Sequence, residues 1–185
     1  MQGDCLPTKP KLRIHDMEQR HMGLTKAIAD SYGEAASICL HRHHEPPADF
    51  DIETRASRTT AAVEWPSPSA RTRRAWANEI DATEAGAYAC VLAAGELANG
   101  LVAVHRAETL TGADYYVAPP GGTPPDLESC RRLEVSGVDR GPRRAVEARL
   151  RANLDQAAAG RSNLPALAGV VGFRARLVMI ADVEG

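Results

Sequence analysis

The sequence predicts an α/β fold of the α+β kind, a small mixed sheet flanked by helices. Three observations predict it. The chain has 185 residues, 44% apolar and 25% charged, enough to bury one ordinary globular core. Two segments, 72–98 and 142–159, repeat apolar residues at helical spacing. Short β-rich runs lie between and after them, so from residue 72 the order is helix, strand, strand, strand, helix, strand.

Each element has a local reason. Residues 1–20 are charged and punctuated by Pro7 and Pro10, and predict a loose arm. Over 23–40, Leu24, Ala27, Ile28, Ala35, Ile38 and Cys39 return at helical spacing behind Thr25, a capping residue. Pro46 and Pro47 stop that helix, because proline disfavours helical geometry in the residue before it. Residues 48–58 and 59–65 read as two strands. The run PSPS at 66–69 reads as a hinge, dividing an N-terminal arm and helical subregion (1–70) from a core (71–185).

In the core, 72–98 is an alanine-rich helix with Trp76, Ile80, Tyr88, Val91 and Leu92 on one face, ended by Asn99 and Gly100. Residues 101–108 and 114–118 are strands joined by the turn at Leu110 to Ala113. The run PPGGTPP at 119–125 is an exposed loop, and 131–136 a third strand. Pro142 opens a helix that Gly160 closes. Residues 172–183 alternate as a fourth strand.

Composition removes several functions. No stretch approaches the roughly 18–20 apolar residues of a membrane span, and the first twelve residues lack a signal-peptide core, so the reading is a soluble, cytoplasmic chain. Four cysteines, Cys5, Cys39, Cys90 and Cys130, form no Cys-x-x-Cys pair and predict free buried thiols. The net charge of −2 argues against a surface built throughout for nucleic acid. The charge is uneven, though, since residues 131–185 hold ten arginines against six acids. Lysine occurs only at 9, 11 and 26, which excludes any mechanism needing a lysine further on.

Asp114 opens one predicted strand and Glu134 lies mid-way along the next. Neighbouring strands are about 4.8 Å apart, so two such carboxylates can converge on one hard cation. Alternation places Glu134 and Ser136 on one face, with Arg132, whose guanidinium is expected to bind nucleic-acid phosphate there. On the preceding helix Glu84 is four residues from both Ile80 and Tyr88 and is expected to point inward, so three carboxylates could meet on one side of the sheet.

The element order, Asp114 and the tripeptide Glu134-Val-Ser136 resemble the PD-(D/E)XK superfamily, the restriction-endonuclease-like nucleases, over about residues 72–183. The resemblance implies a core in helix–strand–strand–strand–helix–strand order and a metal-dependent nucleic-acid phosphodiester hydrolase. Mg²⁺ or Mn²⁺ would be held by Glu84, Asp114 and Glu134. It also implies DNA ahead of RNA as substrate, a homodimer or a partner protein for recognition, and a bacterial nuclease or phage-defence setting. One position departs from the pattern: the tripeptide lysine is Ser136, which carries no charge to stabilise a transition state. Arginine is a poor proton acceptor in its place. The alternative is therefore a catalytically inactive subunit of the same fold that engages nucleic acid or a partner protein.

Plainer readings stand beside these. Asp114 can simply end a turn, Glu134 can pair with Arg132, Arg174 or Arg176, and Glu84 can be a solvated helix residue. The cluster CLHRHH at 39–44 lacks the spacing of a zinc finger and reads as a helix C-terminus favoured by cationic histidines. Of Tyr115 and Tyr116 one is expected in the core, the other free to stack a base or cap the sheet. Arg140, Arg144 and Arg151, spaced four and seven apart, form a stripe suited to a phosphate backbone or a solvated face paired with Glu147 and Asp155.

Overall fold

A computed structural model describes residues 9–121 and 127–183; Cys5, residues 1–8 of the predicted arm and most of the 119–125 loop lie outside them. The elements are α1 (Lys26–His43), β1 (Ala48–Glu53), β2 (Arg58–Val63), α2 (Ala70–Ala75), α3 (Glu79–Asn99), β3 (Val102–Arg106), β4 (Tyr115–Ala118), β5 (Arg131–Val138), α4 (Arg143–Ala159), β6 (Ala166–Gly172) and β7 (Leu177–Asp182). All seven strands form one mixed sheet in the order β2-β1-β7-β6-β5-β4-β3. Pairing is parallel between β1 and β7 and between β5 and β6, and antiparallel elsewhere. No helix of the described residues is long and apolar enough to cross a membrane.

The predicted helix over 72–98 is two helices. Asn78 interrupts it, its side chain accepting a hydrogen bond from Ile80 N at 3.0 Å, with Glu79 and Asp81 in the turn that follows. This is an N-cap with its acidic first turn, and it starts α3 afresh. Ile80, expected on the buried face, is consequently 69% exposed. The predicted strand over 172–183 is the second arm of a hairpin whose first arm, β6, had no counterpart in the sequence reading. Every residue of β6 is buried, so the run ALAGVVG shows no alternation.

α1 and α3 cover one face of the sheet, packing with Leu133, Val135, Leu167 and Val171. α4 covers the other, packing Val146 and Leu150 on Ala168 and Val170. α3 lies very close to the sheet. A Cβ at Gly169 would fall 2.3 Å from Val91 Cγ1, and one at Gly137 would fall 2.9 Å from the Thr83 carbonyl oxygen. Only glycine admits that approach, which brings the N-terminal half of α3 against the end of β5.

The arm is not loose where it is described. Leu12, Ile14 and Met17 are 2%, 1% and 0% exposed, and His21 is fully buried. Proline and charge hid three core residues spaced between them. Residues 10–12 pair with β2 through Leu12 N to Ala62 O and Ala62 N to Pro10 O, both 2.9 Å. The same arm reaches the opposite edge of the sheet, where Gly23 N donates to Ala103 O at 2.9 Å and Ala103 N donates to His21 Nδ1 at 3.0 Å. Both edge strands thus have hydrogen-bond partners from one segment.

Candidate functional site

Pairing between β4 and β5 runs only from Val117↔Arg131 to Tyr115↔Leu133, while β5 continues to Val138. Beyond Leu133 that edge of β5 has no strand of the described residues beside it. α3 comes round from one face and α4 from the other, and between them lies a cleft of about 660 Å³. Asp114, the residue before β4, bridges the gap: its backbone N–H donates to Leu133 O at 2.8 Å and its Oδ2 accepts from Val135 N at 2.9 Å. The side chain extends the ladder where the strand has stopped.

Asp114 and Glu134 both line this cleft, and both also border a second, more open hollow of about 460 Å³ that contains Arg106. Asp114 Oδ1 accepts from the Tyr88 hydroxyl at 2.8 Å and from Arg106 Nη2 at 3.3 Å. Glu134 is 8% exposed and accepts one hydrogen bond, from Gln156 Nε2 at 2.5 Å. Burial, together with the negative charge of Asp114, raises its pKa to about 7, with Arg106 opposing the rise. Burial and Asp114 likewise hold the Tyr88 phenol firmly protonated, as befits a donor.

α4 supplies a row of polar groups. Asn153, 4% exposed, interrupts the buried stripe of Val146, Leu150 and Ala157 and donates from Nδ2 to Ser136 Oγ at 2.9 Å. Gln156 and the exposed Arg149 share that side of the helix, and both line the cleft. Tyr88, Arg106, Asn153 and Gln156 belong to the site without having been expected there. Asn153 alone had a legible signal, a polar residue at an apolar position of a helical repeat.

The other sequence-predicted residues divide. Ser136 and Glu84 line the cleft, but Glu84 is exposed on its rim and does not point inward. It belongs to the helix over the opposite face of the sheet from α4, the helix that Glu134 and Ser136 face, so the three carboxylates do not meet on one side. Arg132 does not face a polyanion. It is 4% exposed, and its guanidinium donates to the carbonyls of Leu164, Thr111 and Ala157, tying the end of α4 to two loops. Arg140 lines the cleft and is paired with Glu79 at 2.7 Å. Arg144 and Arg151 are exposed on α4 outside the cleft lining.

Tyr116, 6% exposed, is as firmly in the core as Tyr115, which removes it as a stacking platform. The histidine cluster closes α1 onto the sheet: His43 Nε2 lies 2.9 Å from Asp139 Oδ1, Arg42 bonds the same oxygen at 2.6 Å, and His44 Nε2 donates to Phe173 O at 2.8 Å. Cys39, Cys90 and Cys130 are buried.

For the divalent cation that the resemblance implies, Asp114 and Glu134 fit in kind, being hard oxygen donors whose mutual repulsion a cation would relieve. Among the described residues, however, no three His, Cys, Asp or Glu side chains gather as a group that could hold a metal ion. Comparison with family models, with curated proteins and with solved structures finds no match to this chain.

Proposed function

We propose that the cleft beyond β4 is the site of a metal-dependent nucleic-acid phosphodiester hydrolase of the restriction-endonuclease-like kind. The observation that carries this reading is the pair Asp114, just before β4, and Glu134 of the neighbouring β5, brought to one cleft between two helices. The order α3-β3-β4-β5-α4-β6 supports it, since it reads helix–strand–strand–strand–helix–strand.

Asp114 and Glu134 would hold Mg²⁺ or Mn²⁺, with Glu84 at the rim. When bound, such an ion lowers the pKa of water and polarises a phosphoryl oxygen. A cation in the cleft would favour the entry of a phosphate, because Glu79, Glu84, Asp114, Glu134 and Asp139 outnumber Arg140 and Arg149 in its lining, Arg42 beside Asp139 and Arg106 beside Asp114 offsetting part of that charge. Gln156 fixes the Glu134 carboxylate and Asn153 fixes the Ser136 hydroxyl. Arg149, on the rim, adds positive charge where the tripeptide has none.

One observation favours the second reading, an inactive binding subunit: both Asp114 oxygens already accept hydrogen bonds from the protein itself. Incubation of single- and double-stranded DNA and RNA with the protein in Mn²⁺, and then in EDTA, separates the two. Metal-dependent cleavage lost in Glu134→Gln and Asp114→Asn supports the hydrolase. Nucleic-acid binding without cleavage, unaffected by either substitution, supports the subunit.

A further inference from the structure

Arg106, on the second hollow, is held in place by aromatic rings. Its guanidinium carbon lies 4.8 Å from the Tyr88 ring centroid and 4.7 Å from that of Tyr115, two cation–π contacts. Those rings are themselves fixed. Tyr32 stacks on Tyr88 with centroids 4.8 Å apart, and the Tyr32 and Tyr115 hydroxyls are 2.9 Å from each other. From this seat Nη2 reaches the Tyr88 hydroxyl at 3.1 Å and Asp114 Oδ1 at 3.3 Å. α1, α3, β3 and β4 all contribute, yet the side chain remains 49% exposed on the hollow it shares with Glu134.

We propose that Arg106 is a resident cation that neutralises Asp114 in the metal-free protein and competes with a divalent ion for that carboxylate. The inference rests on the metal-dependent reading above and adds a gate to it. Oδ1 carries both the Tyr88 and the Arg106 bond, so a metal ion taking that oxygen must break the Arg106 contact and meets a guanidinium of like sign beside it. The charge lost with the motif lysine is thus not simply absent: a positive group stands on the far side of the carboxylate pair, held by aromatic rings.

The test is a Mn²⁺ titration of wild type, Arg106→Gln and Arg106→Met, followed by the paramagnetic signal of free Mn²⁺, with thermal unfolding of each metal-free protein alongside. Methionine keeps an apolar chain over the two rings and gives the reading if the glutamine variant does not fold. Removal of one unit charge within a few ångströms of a divalent ion is expected to tighten Mn²⁺ binding about tenfold or more. Addition of Asp114→Asn should cancel the gain. A merely structural arginine would give a lower melting temperature and equal or weaker binding, which overturns the proposal alone. Absence of Mn²⁺ binding in wild type and both variants overturns it together with the metal-dependent reading.

Discussion

Replacement of Glu134 by glutamine should stabilise the protein, and increasingly so as the pH rises. In the folded state the carboxyl is raised from the ordinary 4.5 to about 7, by burial first and Asp114 second. The folded protein therefore binds this proton more tightly than the unfolded chain does, and folding takes up a proton between the two values. Stability contributed by the neutral acid is intact below about pH 4.5 and is lost as the pH climbs through 7. The penalty at pH 8 is about 3 kcal/mol, and at pH 5 under about 1 kcal/mol. Glutamine keeps the shape, cannot ionise and still offers an oxygen to Gln156. Urea unfolding of both proteins in EDTA at pH 5 and pH 8, followed by circular dichroism, measures the difference directly. Glu134→Gln should gain about 2 kcal/mol more at pH 8 than at pH 5. Equal gains at the two pH values, or a loss at pH 8, would show that the charged carboxylate is well solvated by its cleft and that burial does not govern it.

Arg132→Met should cost about 2–4 kcal/mol in the same assay, because it strands buried carbonyls on α4 and two loops; a near-neutral result would mean that water replaces the guanidinium. Met17→Ala should cost a similar amount, about 2–5 kcal/mol, whereas a truly loose arm would leave the unfolding midpoint unmoved. The Arg140, Arg144 and Arg151 triple glutamine variant should fold normally and flatten the salt dependence of duplex DNA binding by up to about 2.7 in log–log slope. A folded variant with an unchanged slope takes that stripe out of the binding surface.

Where the sequence was readable, a local signal sufficed. α4 announces itself through Pro142 and Gly160, and α1 through Thr25, whose hydroxyl accepts from Ile28 N as a cap should. Asp114 and Glu134 were legible because a charged residue beside or within an apolar strand has few uses. β6 was not, because a strand buried on both faces loses the period that betrays strands. The break at Asn78 was overlooked because alanine-rich sequence continues on both sides of a cap. The partners of Asp114 were harder still: Tyr88 and Arg106 resemble a core tyrosine and a strand-end arginine until the fold sets them around one carboxylate. Arg132 misled through correct alternation, since it does share a face with Glu134, but α4 ends directly over it.

The parallel pairing of β1 with β7, which sets Ile52 beside Val178, has a consequence for synthesis. As the chain leaves the ribosome, the β1–β2 hairpin is complete long before β7 is translated, and the side of β1 that β7 will occupy stands open throughout. Phe50 and Ile52, both buried at the end, make that nascent edge adhesive, and a second growing chain could add to it. Asp51 and Glu53 alternate with them and charge the waiting strand. Within the hairpin the two acids share one cation, Arg58 of β2, at 2.6 Å from Asp51 and 3.3 Å from Glu53; only in the finished fold does Arg143 add a second, at 2.5 Å from Glu53. Arg143 comes from α4, made far later than β1, so until that helix arrives two carboxylates share a single guanidinium and the open edge keeps a net negative charge.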